Sequence, residues 1–311
     1  MKFVVELEGV CKRFGKVVAL DNVSLGLGGK VSGLIGPNGA GKTTLINILL
    51  GYTRPNSGTV RVLGYDVKNE LEEVKARVGV LPEKPGFPAF FSGRELLARV
   101  ARLRGFDDAE GLADGVLGEV GLAFAGDRAI RTYSAGMYQR LGLAQALIGE
   151  PELVILDEPA ANLDPLGRLD VLELVANYSR EKGVKFLVST HILYDVERTC
   201  DWIAIMDTGQ VREQGSVEEL VEKYSGLTFR IVVSNPKKFV SALTRKGLAK
   251  SVAFQGDALL VTAEEGVNMY EEAVKIARRL KASVDEVRPV LGSLDEVFRR
   301  VVRGEGEEQV S

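Results

Sequence analysis

The sequence predicts an α/β fold with a mainly parallel core sheet, an N-terminal antiparallel β subdomain and a helical insert, followed by a small α+β domain. Short apolar runs alternate with helical segments, which is typical of strands buried on both faces of a sheet; they are LVILD, KFLVST and WIAIMD. A glycine-rich turn joins a strand to a helix early in the chain. The last third has the element order βαββαβ.

The first elements of the chain are β-rich. Turns of glycine, lysine and asparagine separate three segments, FVVELEGVCKRF, VVALDNVSLGL and VSGLIG. From Ser92 to Gly149 apolar residues recur at a spacing of three and four, which predicts helices. We therefore expect a first domain over residues 1–224, with a helical insert over about residues 86–150.

The C-terminal part predicts a separate small domain. Ser225 and Gly226 favour a linker. Beyond it, the order βαββαβ and a final helix SLDEVFRRVV predict a ferredoxin-like domain over residues 225–303. These segments show no catalytic cluster, so we expect this domain to regulate the protein or to stabilise a dimer. The polar tail, residues 304–311, is predicted to be disordered.

Composition excludes several classes of protein. Forty basic and 43 acidic residues leave a net charge of -3, so we expect no nucleic-acid partner. The two cysteines lack metal-ligand spacing and suit a reducing compartment. The N-terminus shows no signal peptide, and no apolar run reaches the ~18 to 20 residues needed to span a bilayer. We therefore expect a cytoplasmic protein.

The stretch GPNGAGKT follows a strand and precedes a helix, which is the context that the phosphate-loop pattern GxxxxGK[ST] requires. Its glycines let several N–H groups and the positive end of a helix face a polyphosphate. Lys42 can reach the β- and γ-phosphates, and the Thr43 hydroxyl suits Mg²⁺. The predicted nucleotide-binding residues here are Gly36, Pro37, Asn38, Gly39, Ala40, Gly41, Lys42, Thr43 and Thr44.

A second motif, LVILDEP, places two carboxylates at the end of an apolar strand. Ligands of parallel α/β sheets bind at the carboxyl ends of the strands, where Asp157 can hold Mg²⁺. Glu158 follows directly and can polarise the attacking water as a general base. Behind a phosphate loop, this pair predicts hydrolysis.

A third motif, YSAGMYQRLGLAQAL, lies between the other two. With it the chain resembles the nucleotide-binding subunit of ATP-binding cassette (ABC) transporters over about Phe3 to Tyr224. The motif is similar to that family's LSGGQ signature: Ser134 and Gly136 match, whereas Tyr133, Ala135 and Met137 depart from it. Ala135 can replace the glycine of the signature if its φ is negative. We expect the following helix to run from Met137 to Ile148.

The resemblance implies an ATPase that uses ATP and Mg²⁺. It implies a head-to-tail dimer with a second copy or a paralogous cassette, in which Ser134 and Gly136 contact the γ-phosphate of ATP on the opposite chain. The single histidine, His191, matches the switch histidine that contacts this phosphate beside Glu158. Asn162, Leu163 and Asp164 match the D-loop, which acts across the dimer.

Two further residues take their roles from the resemblance. Phe14 lies where the family places an aromatic ring that stacks on adenine. Glu83, in VLPEKPGF, occupies the position of the Q-loop glutamine that senses Mg²⁺ and contacts the membrane partner. A carboxylate is a stronger Mg²⁺ ligand than an amide, so we expect Glu83 to alter the Mg²⁺ dependence of hydrolysis.

Three functions share these motifs. The C-terminal SLDEVFRRVV and the YSAGMYQRL spelling resemble the subunits of drug, lipid or polysaccharide exporters, so the predicted protein is an exporter ATPase subunit. It would bind a separate multi-spanning permease at the inner face of the cell membrane. The alternatives are the ATPase subunit of an importer, which would share every catalytic residue, and a soluble non-transport cassette ATPase.

Overall fold

The computed structural model describes residues 3–161, 163–224, 228–264, 266–290 and 294–303. Contacts between residues divide the chain into two compact units, Met1–Val217 and Glu218–Ser311. The division falls directly after Val217, the first residue of the helix that ends at Tyr224. The predicted linker at Ser225 and Gly226 and the predicted disordered tail, residues 304–311, lie outside the described residues.

The elements of the first unit begin with the predicted β-rich segments and continue through the predicted helical stretch to the predicted apolar strands. They are β1 (Val5–Phe14), β2 (Val17–Leu27), β3 (Val31–Ile35), α1 (Lys42–Leu49), β4 (Ser57–Val62), β5 (Tyr65–Asp66), α2 (Leu71–Arg77), β6 (Val78–Leu81), α3 (Gly93–Leu103), α4 (Ala109–Glu119), α5 (Ala135–Leu147), β7 (Leu153–Asp157), α6 (Pro165–Lys182), β8 (Lys185–Thr190), α7 (Leu193–Thr199), β9 (Trp202–Asp207) and β10 (Gln210–Ser216).

The described strands of this unit form two sheets. The antiparallel sheet has the order β2-β1-β4-β5 and the core sheet the order β10-β9-β3-β8-β7-β6. In the core sheet β9, β3, β8, β7 and β6 run parallel, and β10 pairs antiparallel with β9. Strands β3 and β7 are buried along their whole length, as their apolar runs predict. The register pairs Ile35 with Thr190 and Asp157 with Ser189, so the carboxyl ends of three strands meet.

The predicted helical insert contains α3, α4 and α5. A capping box starts α3, because Ser92 Oγ accepts a hydrogen bond from Glu95 N and Glu95 Oε2 accepts one from Ser92 N. The start predicted for α5 at Met137 is wrong. Ser134 caps the helix by accepting a hydrogen bond from Met137 N, so α5 begins at Ala135, and it ends at Leu147.

Helix α8 (Val217–Tyr224) begins where the division falls, and the second unit continues with one antiparallel sheet and three helices among its described residues. These are β11 (Thr228–Val233), α9 (Pro236–Arg245), β12 (Ala249–Gln255), β13 (Ala258–Ala263), α10 (Met269–Leu280), β14 (Val284–Pro289) and α11 (Leu294–Arg303). The strand order β12-β13-β11-β14 confirms the predicted ferredoxin-like fold.

Each unit has its own apolar core. In the first, side chains of β2, α1 and β7 such as Leu20, Leu49 and Ile155 pack together, so the antiparallel sheet and the phosphate-loop helix share one core. In the second, Ile231 and Phe239 lie in a core between sheet and helices. No helix among the described residues combines the length and the apolar character needed to cross a membrane.

Candidate active site

The phosphate loop connects β3 to α1, as predicted. Gly41 caps α1 with a φ of 102°, a left-handed conformation that favours glycine, and a Cβ there would lie 2.7 Å from the Ala19 carbonyl oxygen. A Cβ on Gly36 would lie 2.3 Å from the Met206 carbonyl oxygen. Both glycines are therefore required by the path of the loop. The first N–H groups of α1 lack intrahelical acceptors, so the loop presents a positive helix end to an anion.

Lys42 is held where the loop meets the Glu158 carboxylate. Its side chain is 6% exposed, and Nζ donates to the carbonyl oxygens of Gly36 at 2.7 Å and Pro37 at 3.4 Å. Nζ also lies 3.4 Å from Glu158 Oε1. A buried ammonium needs such partners. An incoming polyphosphate would meet a cation that is already positioned, and it would compete with Glu158 for that cation.

Asp157 ends β7 as a buried carboxylate. Burial raises the pKa of this carboxyl group, and the nearby charges of Glu158 and Glu83 raise it further, whereas hydrogen bonding from Ser189 and Thr43 lowers it. The Ser189 hydroxyl donates to Asp157 Oδ1. The strand end thus gathers negative charge that a cation would neutralise.

The donors here fit a magnesium ion that is shared with phosphate. Mg²⁺ binds through one or two carboxylates and keeps waters or phosphate oxygens for its other positions. Within the described ranges, no three or more His, Cys, Asp or Glu residues form a self-contained metal site. Thr43 and Asp157 supply adjacent oxygens, and Glu83 lines the same cleft. This set suits an ion that arrives with its nucleotide.

Glu158 has an uncommon backbone conformation, with φ at 48°. Its N–H donates to Ser189 O and Ser189 Oγ, both at 3.1 Å, which holds the turn after β7. The side chain is 12% exposed and lies between Lys42 and His191, whose Nδ1 is 3.0 Å from Oε2 and 3.1 Å from Oε1. Such backbone strain is common at active sites, where the surrounding structure enforces it.

The structure therefore brings together the three residues predicted to be catalytic. Lys42 comes from the start of α1, Glu158 follows β7 and His191 follows β8. A cleft of about 440 Å³ opens above them. The residues predicted for the site that line this cleft are Asn38, Gly39, Ala40, Gly41, Lys42, Thr43, Thr44, Glu83, Glu158 and His191.

Some residues of this site were not predicted from the sequence. Val17 and Val18, at the start of β2, line the cleft with exposed apolar side chains. Phe14, predicted to stack on adenine, does not line it; its half-exposed ring lies across the hairpin, where Phe14 pairs with Val17 and Lys12 Nζ is 4.7 Å from the ring centre. Ser189 was also missed, although a hydroxyl at the end of an apolar strand is a usable signal.

A second cleft, of about 450 Å³, contains the signature residues. Ser134 and Gly136 lie there with Asp164, which caps α6 by accepting a hydrogen bond from Gly167 N at 2.7 Å. Ala135 is helical, so its φ is compatible with alanine. Among the described residues, none lines both clefts. The structure therefore separates these residues from the phosphate loop, and the D-loop's Asn162 lies outside the described residues.

Comparison with known proteins identifies the family. The ABC transporter ATP-binding protein YxlF of Bacillus subtilis is 32% identical over 304 residues, which cover 96% of this chain and 99% of the relative. The chain belongs to the ATP-binding subunits of ABC transporters. A family model described as "ABC transporter" matches residues 20–161.

Other similar proteins are named for transport or resistance. The daunorubicin resistance ATP-binding protein DrrA3 of Streptomyces coeruleorubidus is 34% identical, over 94% of both chains. The bacitracin transport ATP-binding protein BcrA of Enterococcus faecalis is 37% identical, over 71% of each. A solved ATP-binding subunit of an ABC transporter is 28% identical with a TM-score of 0.63, over 71% of this chain and 93% of that chain.

These findings confirm the predicted fold, family and activity class. The chain is an ABC-type ATPase that binds ATP. ATP-binding subunits of this family generally pair with a membrane permease.

Proposed function

We propose that this ATPase subunit hydrolyses Mg²⁺-ATP at a site shared by two chains and thereby drives export through a separate multi-spanning permease. The observation that carries the proposal is the convergence of Lys42, Glu158 and His191, with Nζ 3.4 Å and Nδ1 3.0 Å from the two oxygens of one carboxylate. A base beside a phosphate-binding cation can deprotonate water next to the γ-phosphate.

Each residue has a distinct role in this proposal. Lys42 binds the β- and γ-phosphates in place of the Gly36 carbonyl and Glu158. The Glu158 carboxylate, freed from Lys42, accepts a proton from the attacking water. His191 donates to the γ-phosphate through Nε2, and its Nδ1 accepts a hydrogen bond from Glu158 once that carboxyl group has taken the proton from water. When bound, magnesium supplies positive charge on the phosphates, and Thr43, Asp157 and Glu83 would hold it.

The separation of the two clefts supports a shared site. Ser134 and Gly136 stand at the start of α5, a helix of 13 residues whose first N–H groups suit an anion, yet no phosphate-loop residue lines their cleft. A head-to-tail arrangement with a second copy or a paralogous cassette would bring this helix end to the γ-phosphate of the other chain. Asp164, in the same cleft, would lie at that boundary.

The relatives' names favour export. Proteins named for bacitracin transport and for daunorubicin resistance align with this chain at 34% to 37% identity. We assign the subunit to the cytoplasmic side of a cell membrane, bound to a permease that contacts the cargo. The second unit, whose described residues show no catalytic cluster, regulates the cassette or stabilises its dimer.

The first test is a pull-down with tagged Glu158→Gln protein, ATP and detergent-solubilised membranes of the source organism. The variant should hold ATP and stay closed, so one multi-spanning membrane protein should be captured. Glu152→Gln, at an exposed glutamate just before β7, is the matched control and should capture less, because it hydrolyses ATP and reopens. Capture of a permease with a solute-binding protein would favour an importer, and capture of non-membrane proteins alone would favour a non-transport ATPase.

A further inference from the structure

Asp195 is a buried carboxylate that the proposed hydrolysis does not use. It lies in the first turn of α7, four residues after His191, and is 3% exposed. Its Oδ1 has no hydrogen-bond partner within the described part of the chain. A buried charge without a partner costs folding free energy, so such a group calls for a functional or structural explanation.

A complementary group faces Asp195 from the neighbouring helix. Arg168, in the first turn of α6, has a buried Nε that also lacks a hydrogen-bond partner among the described residues. The pKa of the Asp195 carboxyl group is raised, mainly by burial and also by the negative charge of Glu158. The charges of Arg168 and His191 act in the opposite direction. Asp195 therefore interacts electrostatically with both α6 and the catalytic groups, whereas its Oδ1 and Arg168 Nε make no hydrogen bond among the described residues.

The positions of the two residues connect the two clefts. Arg168 N donates to Asp164 O at 2.9 Å, so Arg168 moves with the D-loop aspartate that lines the second cleft. Asp195 follows His191 by four residues and interacts electrostatically with it, and His191 lines the first cleft. A shift of the start of α6 would change the distance between two unpaired, opposite charges, and a change at Asp195 would reach the imidazole directly.

We propose that Asp195 is a positioning residue for His191 and that it acts with Arg168, so that movement of the D-loop end of α6 is coupled to the switch histidine within one chain. This inference rests on the proposed function. It adds to the cassette a link between the signature-side cleft and the catalytic cleft. Closure of the second cleft by a partner would bring Arg168 and Asp195 into direct contact and orient the imidazole.

An ion pair between the same two helices serves as a control for a purely structural role of Asp195 and Arg168. Glu173 on α6 and Arg198 on α7 lie 4.0 Å apart on the exposed surface. If Asp195 and Arg168 merely joined α6 to α7, removal of either pair would act through stability alone. Glu173→Gln therefore reports the cost of loosening the helices, and Asp195→Asn reports that cost together with any effect on His191.

The first experiment measures ATP hydrolysis by the full chain with Mg²⁺-ATP. We expect Asp195→Asn to lower kcat about tenfold, in the range typical of residues that orient a site's ligands, with KM changed less than about twofold. Asp195→Glu, which keeps the charge, should restore most of kcat, and Glu173→Gln should match the wild type. Arg168→Gln should reproduce the loss in kcat and serves as the second variant if Asp195→Asn does not fold. Equal losses in Asp195→Asn and Glu173→Gln would overturn the proposal.

The second experiment does not depend on activity. The chain has one histidine, so the imidazole ¹⁵N signals of ¹⁵N-histidine-labelled full chain need no assignment. These signals report which ring nitrogen carries the proton. We expect Asp195→Asn to shift both signals without nucleotide, and Glu173→Gln to leave them in place. Unchanged signals in Asp195→Asn would overturn the link to His191, whereas a wild-type chain without ATPase activity would count against the proposed function instead.

Discussion

The two clefts of the first unit satisfy their polar groups in different ways. Beside the phosphate loop, Lys42, Glu158 and His191 contact one another, and Glu158 holds a left-handed backbone conformation. In the signature cleft, Ser134 and Asp164 hydrogen-bond to the N–H groups of the helices that they cap. The first cleft is organised for chemistry, whereas the second presents helix ends without a catalytic group. The proposed site shared by two chains would combine one cleft of each kind.

The largest expected effect comes from removing the base of the first cleft. Glu158→Gln keeps the shape of the side chain but cannot accept a proton, so kcat should fall at least about a hundredfold. Phosphate release measures the rate, and a fluorescent ATP analogue checks that the nucleotide still binds. Glu152→Gln should retain normal activity. A rate within about tenfold of the wild type would remove Glu158 from the role of base.

A substitution in the second cleft tests whether that half serves another chain. Ser134→Arg places a long side chain at the start of α5 and should lower ATPase activity about tenfold or more, because it keeps a partner from closing. ATP binding to the single, undimerised Ser134→Arg chain should not change, since no phosphate-loop residue lines this cleft. Leu103→Arg, at an exposed position of α3 outside both clefts, is the control. Full activity in Ser134→Arg would contradict a shared site.

A smaller effect is expected at Glu83, which opens onto the first cleft. Glutamine is a weaker Mg²⁺ ligand than glutamate, so Glu83→Gln should raise the Mg²⁺ concentration for half-maximal ATPase rate by about threefold. Glu72→Gln, on the exposed face of α2, should leave the Mg²⁺ titration unchanged. A titration of Glu83→Gln that overlays the wild type would exclude a role for Glu83 at the metal.

The smallest effect concerns stability without nucleotide. The folded-state pKa of Asp157 lies above its ordinary value, so its ionised form costs folding free energy at every pH above the unfolded pKa of 3.8 and costs none well below it. Asp157→Asn should therefore raise Tm by about 2–4 °C at pH 7, a gain that shrinks as the pH falls towards 4. Thermal unfolding without Mg²⁺ measures it. A gain that is independent of pH would point to packing instead of charge.

Local motifs made much of this protein predictable. The phosphate loop, the LVILDEP strand end and the signature are each contiguous, so residue types and spacing sufficed to select many of the residues that line the two clefts. The strand β6, only four residues long, was missed because so short a run carries no periodicity. Val17 and Val18 were missed because the sequence does not show that exposed apolar residues line a cleft. The other walls of this cleft come from segments that are distant along the chain.

The sequence by itself determined the fold class, the family and the ATPase chemistry, because each depends on patterns read within a few neighbouring residues. Tertiary structure alone decided which of those residues meet. Strand register places Ser189 beside Asp157, and the packing of α6 against α7 places Arg168 near Asp195. Such contacts join residues that are distant along the chain, and their energies depend on burial and on charges that only the folded core brings together.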